Sequence, residues 1–303
     1  MGKELSDNFP EAKKIFDNAN EIAGLDLRKL VFEGPEEELK QTINTQPAVF
    51  TTSVACLEAL KSQLPEITAK ASFTAGHSVG EYAALYAAEV FDFSAGLKLV
   101  MQRARFIHEF SQKNKGTMAA IMGLDAQKLG ELCKQVTASK GIVEPVNFNA
   151  PGQIVVSGAI EGVNELVNIA KANGALKAIP LAVSGPFHSS LLKEAAQKMS
   201  EALKTAPLVN SKIPVVSNFD AAQTSAPDSF KEKLSKQIDN PVYWEKSINL
   251  MISAGVDTFI EIGPGKVVSG LIKRINKQAK TLNVEDKASL EKTVLELKAT
   301  PSA

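Results

Sequence analysis

The chain has 303 residues, 44% of them apolar and 22% charged, a composition that fits one large folded domain or two smaller ones. Lysine plus arginine and aspartate plus glutamate balance at 34 each, so no global field draws the chain to nucleic acid or to an anionic membrane. The only cysteines, Cys56 and Cys133, show neither metal-ligand spacing nor a disulfide framework; with a polar start and no apolar run near the ~18 residues of a membrane span, this predicts a cytoplasmic setting.

In chain order, FPEAKKIFDNANEIAG, GPEEELKQTIN and QPAVFTTSVACLEALKSQL carry helical apolar spacing between polar breaks. ASFTA, residues 71–75, is the first strand candidate, and EYAALYAAEV resumes the helical pattern after Gly80, which leaves Ser78 at a strand-to-helix turn. A long helix is predicted over residues 95–112, with Ser94 as its N-cap. At about 100° per residue its polar arc holds Lys98, Gln102, Arg105 and Glu109, whereas Arg103 falls in the apolar arc between Phe110 and Ile107. A cation there needs an internal carboxylate or a ligand, because burying it unpaired costs on the order of several kcal/mol. His108 and Ser111, on the same arc, read as hydrogen-bonded packing residues.

From Lys115 the order becomes strand TMAAIMGL, helix DAQKLGELCKQVTAS, strands IVEPVNFN and QIVVSGA, helix EGVNELVNIAKANG and strand LKAIPLAV. This β-α-β-β-α-β order is ferredoxin-like and defines a small subdomain over residues 115–185. Helices and strands alternate again beyond it, through IPVVSN, VDTFIEI and GKVVSGLIKRINKQ, as in a parallel α/β sheet. The predicted fold class is therefore α/β, with a large domain of residues 1–114 and 186–303 into which the small unit is inserted. The C-terminal TLNVEDKASLEKTVLELKATPSA reads as a short amphipathic helix with a frayed end.

Gly76-His77-Ser78-Val79-Gly80 fits the G-x-S-x-G nucleophile elbow, and the Val79 N–H at the helix start is a candidate oxyanion donor. A serine needs a base. Of the three histidines, His188 in VSGPFHSS is the candidate, since it follows the last strand of the small unit where the chain re-enters the large domain. EIGPGKVVSG lacks the spacing of a phosphate-binding loop and reads as a tight strand-to-helix turn, while NAPGQ reads as a turn between strands.

Taken together, GHSVGEY, MQRAR, NFNAPGQIVVSG, VSGPFHSS, DNPVYW and EIGPGKVVSGLIKR resemble the malonyl-CoA:acyl carrier protein transacylases of bacterial type II fatty acid synthesis, over nearly the whole chain. The resemblance implies an α/β-hydrolase-like domain carrying a ferredoxin-like subdomain. It makes Ser78 the nucleophile, His188 the base, Arg103 the binder of the malonyl carboxylate, and Gln237 the residue whose main-chain carbonyl orients His188. It also implies that Phe187 crowds the acyl α-carbon, and that His77 and Asn149 lie near the substrate. The implied substrates are malonyl-CoA and phosphopantetheinylated acyl carrier protein, with no metal or tightly bound cofactor. Lys266, Lys273, Arg274, Lys277 and Lys280 form a candidate docking face for an acidic carrier, or else a solvated helix face.

Members of that family usually begin with an apolar strand and a PGQGSQ-like loop whose glutamine supplies a second oxyanion amide, whereas this sequence starts at MGKELSDN. The expectation is a form with impaired turnover or stability, since losing one oxyanion donor costs ~10²–10³ in rate. Two rival readings remain: a serine hydrolase or thioesterase using the same elbow, and a catalytically impaired module that binds coenzyme A or carrier protein.

Overall fold

A computed structural model describes residues 1–299, and the last residues, where the frayed end was expected, lie outside them. The helix Pro10–Ala23 opens on a proline, whose missing N–H is one of those without a helical partner in any case. It packs Ala12, Ile15, Phe16 and Ala19 against Thr42–Gln63. That second helix is buried on nearly every side, from Phe50 to Leu60, which is why its sequence shows little polar periodicity. It also takes in the TIN that the sequence pattern attached to the preceding segment, where only Glu36–Leu39 is helical. The helix Phe93–Lys113 is capped by Asp92 rather than Ser94: the carboxylate accepts from Ala95 N at 2.8 Å, and an ionised oxygen is the stronger acceptor at a helix N-terminus.

Strands Gly116–Met122, Val143–Ala150, Gln153–Ala159 and Lys177–Pro180 build one antiparallel sheet. Val143–Ala150 and Lys177–Pro180 are its edges, and Gly116–Met122 lies between Gln153–Ala159 and Lys177–Pro180. Helices Ala126–Lys140 and Ile160–Ala170 pack on it, and the apolar core between them draws only on residues 119–178. This is the ferredoxin-like arrangement. Val242, from the larger part, extends its edge: Phe148 N donates to Val242 O at 2.9 Å and Val242 N to Val146 O at 2.7 Å.

In the larger part, Thr74–Ala75 pairs in parallel with Val215–Val216, and Thr258–Ile262 pairs in parallel with Lys280–Val284. Two expectations are corrected here. ASFTA gives a strand only at its last two residues, where the chain approaches its turn at Gly76. The stretch KTLNV, for which the sequence pattern gave no strand, is a strand whose Leu282 and Val284 point inward, and the helix expected in the C-terminal stretch follows it as Lys287–Ala299. Two inward residues are too few for alternation to stand out beside the helical pattern that follows. Among the described residues, no helix is long and apolar enough to cross a membrane.

Candidate active site

The chain reverses between the strand Thr74–Ala75 and the helix Gly80–Ala87 so tightly that a Cβ on Gly76 would stand 2.0 Å from Gly80 O. At the apex Ser78 has φ 53°, a left-handed conformation that costs a non-glycine residue roughly 1–3 kcal/mol and persists only where the surroundings enforce it. Asn218 enforces it. Its Oδ1 accepts from Ser78 N at 2.7 Å and its Nδ2 donates to Gly76 O at 2.8 Å, so one buried amide clamps both arms of the turn.

His188 lies in the loop that leaves the small sheet, with φ 62° and 5% exposure. Its Nδ1 stands 2.7 Å from Gln237 O, and since a carbonyl can only accept, Nδ1 carries the proton. The Nε2 lone pair is thereby turned to Ser78 Oγ, which donates to it at 2.7 Å. Burial first, and then the charge of Arg103, push the His188 pKa down to about 3, so the ring is neutral and able to take a proton. A main-chain carbonyl fills the orienting position that a carboxylate occupies in a triad.

Arg103 is 2% exposed. Its Nη1 donates to Gln46 Oε1, and its Nη2 donates to Gln237 Oε1 at 3.0 Å and to Ser78 Oγ at 3.1 Å. The Tyr82 ring lies under the guanidinium, 5.9 Å from its centroid. Among the described residues Arg103 has no ion pair, so the internal salt bridge allowed by the sequence does not form. Neutral amide oxygens hold the cation in place, and no carboxylate touches it directly.

Ser78, His188 and Arg103 line a cleft of ≈ 180 Å³ together with Gln46, Ile107, Val183, Phe187 and Ile238. Val79 also lines the cleft, at the N-terminus of the helix, and among the described residues its N–H donates to no acceptor. His77 and Asn149 are not in the lining: His77 Nε2 donates to Asn149 Oδ1 at 2.8 Å, and the ring stands edge-on to Trp244 with centroids 5.6 Å apart. Burial lowers the His77 pKa, which keeps that ring neutral as well.

Several other sequence readings resolve differently. Ser111 is buried without a hydrogen-bond partner, and half-buried His108 has none among the described residues, so neither has the bonded packing role expected of it. Instead Ser111 is a close-packing residue: a Cβ on Gly185 would stand 2.3 Å from its Oγ. In EIGPGKVVSG, Glu261 accepts from Val268 N at 3.0 Å and from Ser269 N at 2.7 Å, so an internal carboxylate occupies the helix N-terminus that a phosphate would need. The basic face is partly consumed, with Lys266 paired to Glu285 at 3.1 Å and Lys280 to Glu296 at 2.8 Å, whereas Lys273 and Lys277 are exposed.

Several residues of the site were not singled out from the sequence, among them Gln46, Glu81 and Asn218. Glu81 carried a signal, a charge inside the apolar run EYAALYAAEV just after the serine; Gln46 and Asn218, at a helix start and a strand end, carried none.

The cleft has the chemistry of a serine acyltransferase: a hydroxyl that can form an ester, a neutral base that can cycle one proton, and a fixed cation for a charged acyl group. The acyl transferase domain family matches residues 1–295, and the chain belongs to that family. It is 46% identical over 298 residues to the malonyl CoA-acyl carrier protein transacylase of Bacillus subtilis (strain 168), covering 98% of this chain and 93% of that protein. Among solved structures it resembles an acyl-carrier-protein-S-malonyltransferase from Bartonella henselae, with a TM-score of 0.94 and 35% identity over 99% of this chain and 95% of that one. It also resembles a malonyl-transacylase solved in complex with its type II PKS acyl-carrier protein, with a TM-score of 0.92 and 38% identity over 98% and 94% of the two chains.

Proposed function

We propose that the chain transfers a malonyl group from malonyl-CoA to the phosphopantetheine thiol of an acyl carrier protein, through an ester on Ser78, in fatty acid biosynthesis. The observation that carries this reading is Arg103: a buried guanidinium without an internal carboxylate, 3.1 Å from Ser78 Oγ. An acyl group that brings its own carboxylate supplies the missing partner, and a planar guanidinium can hold it by two parallel hydrogen bonds.

In the first half-reaction Ser78 Oγ attacks the thioester carbon and His188 Nε2 takes the hydroxyl proton. The Val79 N–H receives the oxyanion. Collapse expels the coenzyme A sulfur, which leaves with the proton from His188. In the second half-reaction the carrier thiol gives its proton to Nε2 and attacks the ester, and Ser78 departs with that proton. Two thiols and these side chains close the cycle, so the route uses no metal or cofactor. Phe187, on the cleft wall, limits bulk at the acyl α-carbon. His77 and Asn149 support the elbow from behind in this reading. Lys273, Arg274 and Lys277 suit an acidic carrier, and a related malonyl-transacylase is solved in complex with its acyl-carrier protein.

The reading also divides the chain into a large domain, residues 1–114 and 186–303, and a subdomain, residues 115–185; the closed core over residues 119–178 supports the division. The buried free thiols Cys56 and Cys133 suit a cytoplasmic setting. The test is intact mass spectrometry after brief mixing with malonyl-CoA. A malonyl adduct on wild type but not on Ser78→Ala is expected, and a folded wild type without an adduct refutes the mechanism. Rapid loss of the adduct to water, unaffected by carrier protein, would identify a hydrolase instead.

A further inference from the structure

We propose that Glu81 is a positioning residue for this site: it fixes the side-chain amide of Gln237 in one orientation, and through that amide it holds Arg103 in register with the acyl carboxylate. The inference rests on the functional reading above.

Glu81 lies in the first turn of the helix Gly80–Ala87, 1% exposed, and among the described residues it forms no direct ion pair. Its Oε2 accepts from Gln237 Nε2 at 2.6 Å and from Asn218 N at 3.1 Å. Gln237 is itself fully buried. The two ends of a glutamine amide have nearly the same shape, so only their surroundings select between them. On one side of this amide stand acceptors, Glu81 Oε2 and, at 3.1 Å, Ser78 O. On the other stands a guanidinium, which can only donate. With Nε2 toward Glu81, Oε1 meets Arg103 Nη2 at 3.0 Å; the flipped amide would set two donors against each other. The bond from Glu81 is the shortest of these and fixes the Nε2 end, as the guanidinium fixes the Oε1 end; charge-assisted hydrogen bonds are roughly twice as strong as neutral ones.

The spacing has a second consequence. A carboxylate in direct contact with Arg103 would neutralise it and leave nothing for the acyl group. Placed behind the amide, Glu81 orients the guanidinium without pairing with it. Burying an acid there is unfavourable, and desolvation raises its pKa to about 7. A purely apolar residue would pack the same volume but could not orient the amide. The same residue, Gln237, presents its main-chain carbonyl to His188, so anchoring its side chain also steadies the base.

The test compares Glu81→Gln and Gln237→Met, the second of which keeps the main-chain carbonyl, with malonyl-CoA and acetyl-CoA as donors. Expected is a fall of about tenfold in the ratio of kcat/KM for malonyl over acetyl in each variant, carried by KM for malonyl-CoA more than by kcat. The double variant should be no worse than the poorer single one, because the bond from Gln237 to Glu81 is the contact both changes break. A role in stability alone would lower both donors equally and leave the ratio at its wild-type value. A through-space charge effect would raise the ratio, since Arg103 would lose an opposing anion. Either result overturns the proposal, and if Glu81→Gln does not fold, the ratio in Gln237→Met decides by the same criteria. Wild type without a preference for malonyl-CoA removes the functional reading and this inference with it; a wild-type preference that survives unchanged in the variants removes this inference alone.

Discussion

Arg103 Nη2 donates to Ser78 Oγ at 3.1 Å while Ser78 faces His188 Nε2 at 2.7 Å, so the nucleophile stands between a cation and a neutral base. In the free enzyme the guanidinium therefore contacts the hydroxyl directly, and an arriving carboxylate must compete for that donor. Arg103→Lys keeps the charge but loses the planar fork, which is not a conservative change at a bidentate site. We expect kcat/KM for malonyl-CoA to fall by about 10²-fold and that for acetyl-CoA by less than tenfold, on the scale of charged hydrogen bonds. Initial rates with both donors check it; equal losses would assign Arg103 to the hydroxyl rather than to the carboxylate.

Gly76 and Gly80 frame the serine but are not equivalent. A Cβ on Gly76 meets backbone at 2.0 Å, whereas one on Gly80 meets nothing within 4 Å. Gly76→Ala should destabilise the fold by more than about 3 kcal/mol or prevent folding, since backbone cannot give way as a side chain can. Gly80→Ala, in a helix, should be neutral or stabilising by up to about 1 kcal/mol. Urea denaturation of the two variants distinguishes them, and similar midpoints would contradict the account of the turn.

Asn218→Ala leaves Ser78 N and Gly76 O without their buried partners. The expected loss is about 2–6 kcal/mol of stability, from roughly 1–3 kcal/mol for each unsatisfied group. Turnover should fall as well, because the left-handed Ser78 backbone loses its clamp. Chemical denaturation and acyl-adduct formation measure the two effects separately.

Two groups give opposite pH signatures. His188 is lowered from 6.5 to about 3 in the fold, so its contribution to stability is fully present above pH 6.5 and is lost as pH falls toward 3. Glu81 is raised from 4.5 to about 7, so its contribution is present below pH 4.5 and is lost as pH rises through 7. In pH profiles of kcat/KM, an acid limb near 7 should disappear in Glu81→Gln, and the His188 limb should lie well below 6.5. A limb at 6.5 that survives in Glu81→Gln would show that His188 is not held neutral. Because the charge of Arg103 helps depress His188, a bound carboxylate should move its limb in kcat above its limb in kcat/KM.

Lys273→Glu combined with Arg274→Glu should raise KM for carrier protein about fivefold or more while leaving KM for malonyl-CoA unchanged, with an effect that shrinks as salt is added. Steady-state kinetics at two ionic strengths test it. An unchanged KM would return these side chains to a solvated helix face.

The amino-acid sequence by itself determined the architecture and the elbow. The period-2 and period-3.6 patterns of residues 115–185 are local properties, and they give the βαββαβ order directly, just as Gly76 and Gly80 around Ser78 mark a turn into a helix. Arg103 was conspicuous because a charge broke an apolar arc. Its partner could not be read, since a salt bridge and a ligand leave the same mark on one helix. Only tertiary structure decided that, by bringing Gln46, Gln237 and Ser78 to the guanidinium from positions 57, 134 and 25 residues away in the chain. The short strand Lys280–Val284 and the clamp of Asn218 on Gly76 and Ser78 were hidden for the same reason. A two-residue alternation and a lone asparagine acquire meaning only from what packs against them. Hydrophobic periodicity is written along the chain, whereas the pairing of buried polar groups is set by which segments the collapsed core places side by side.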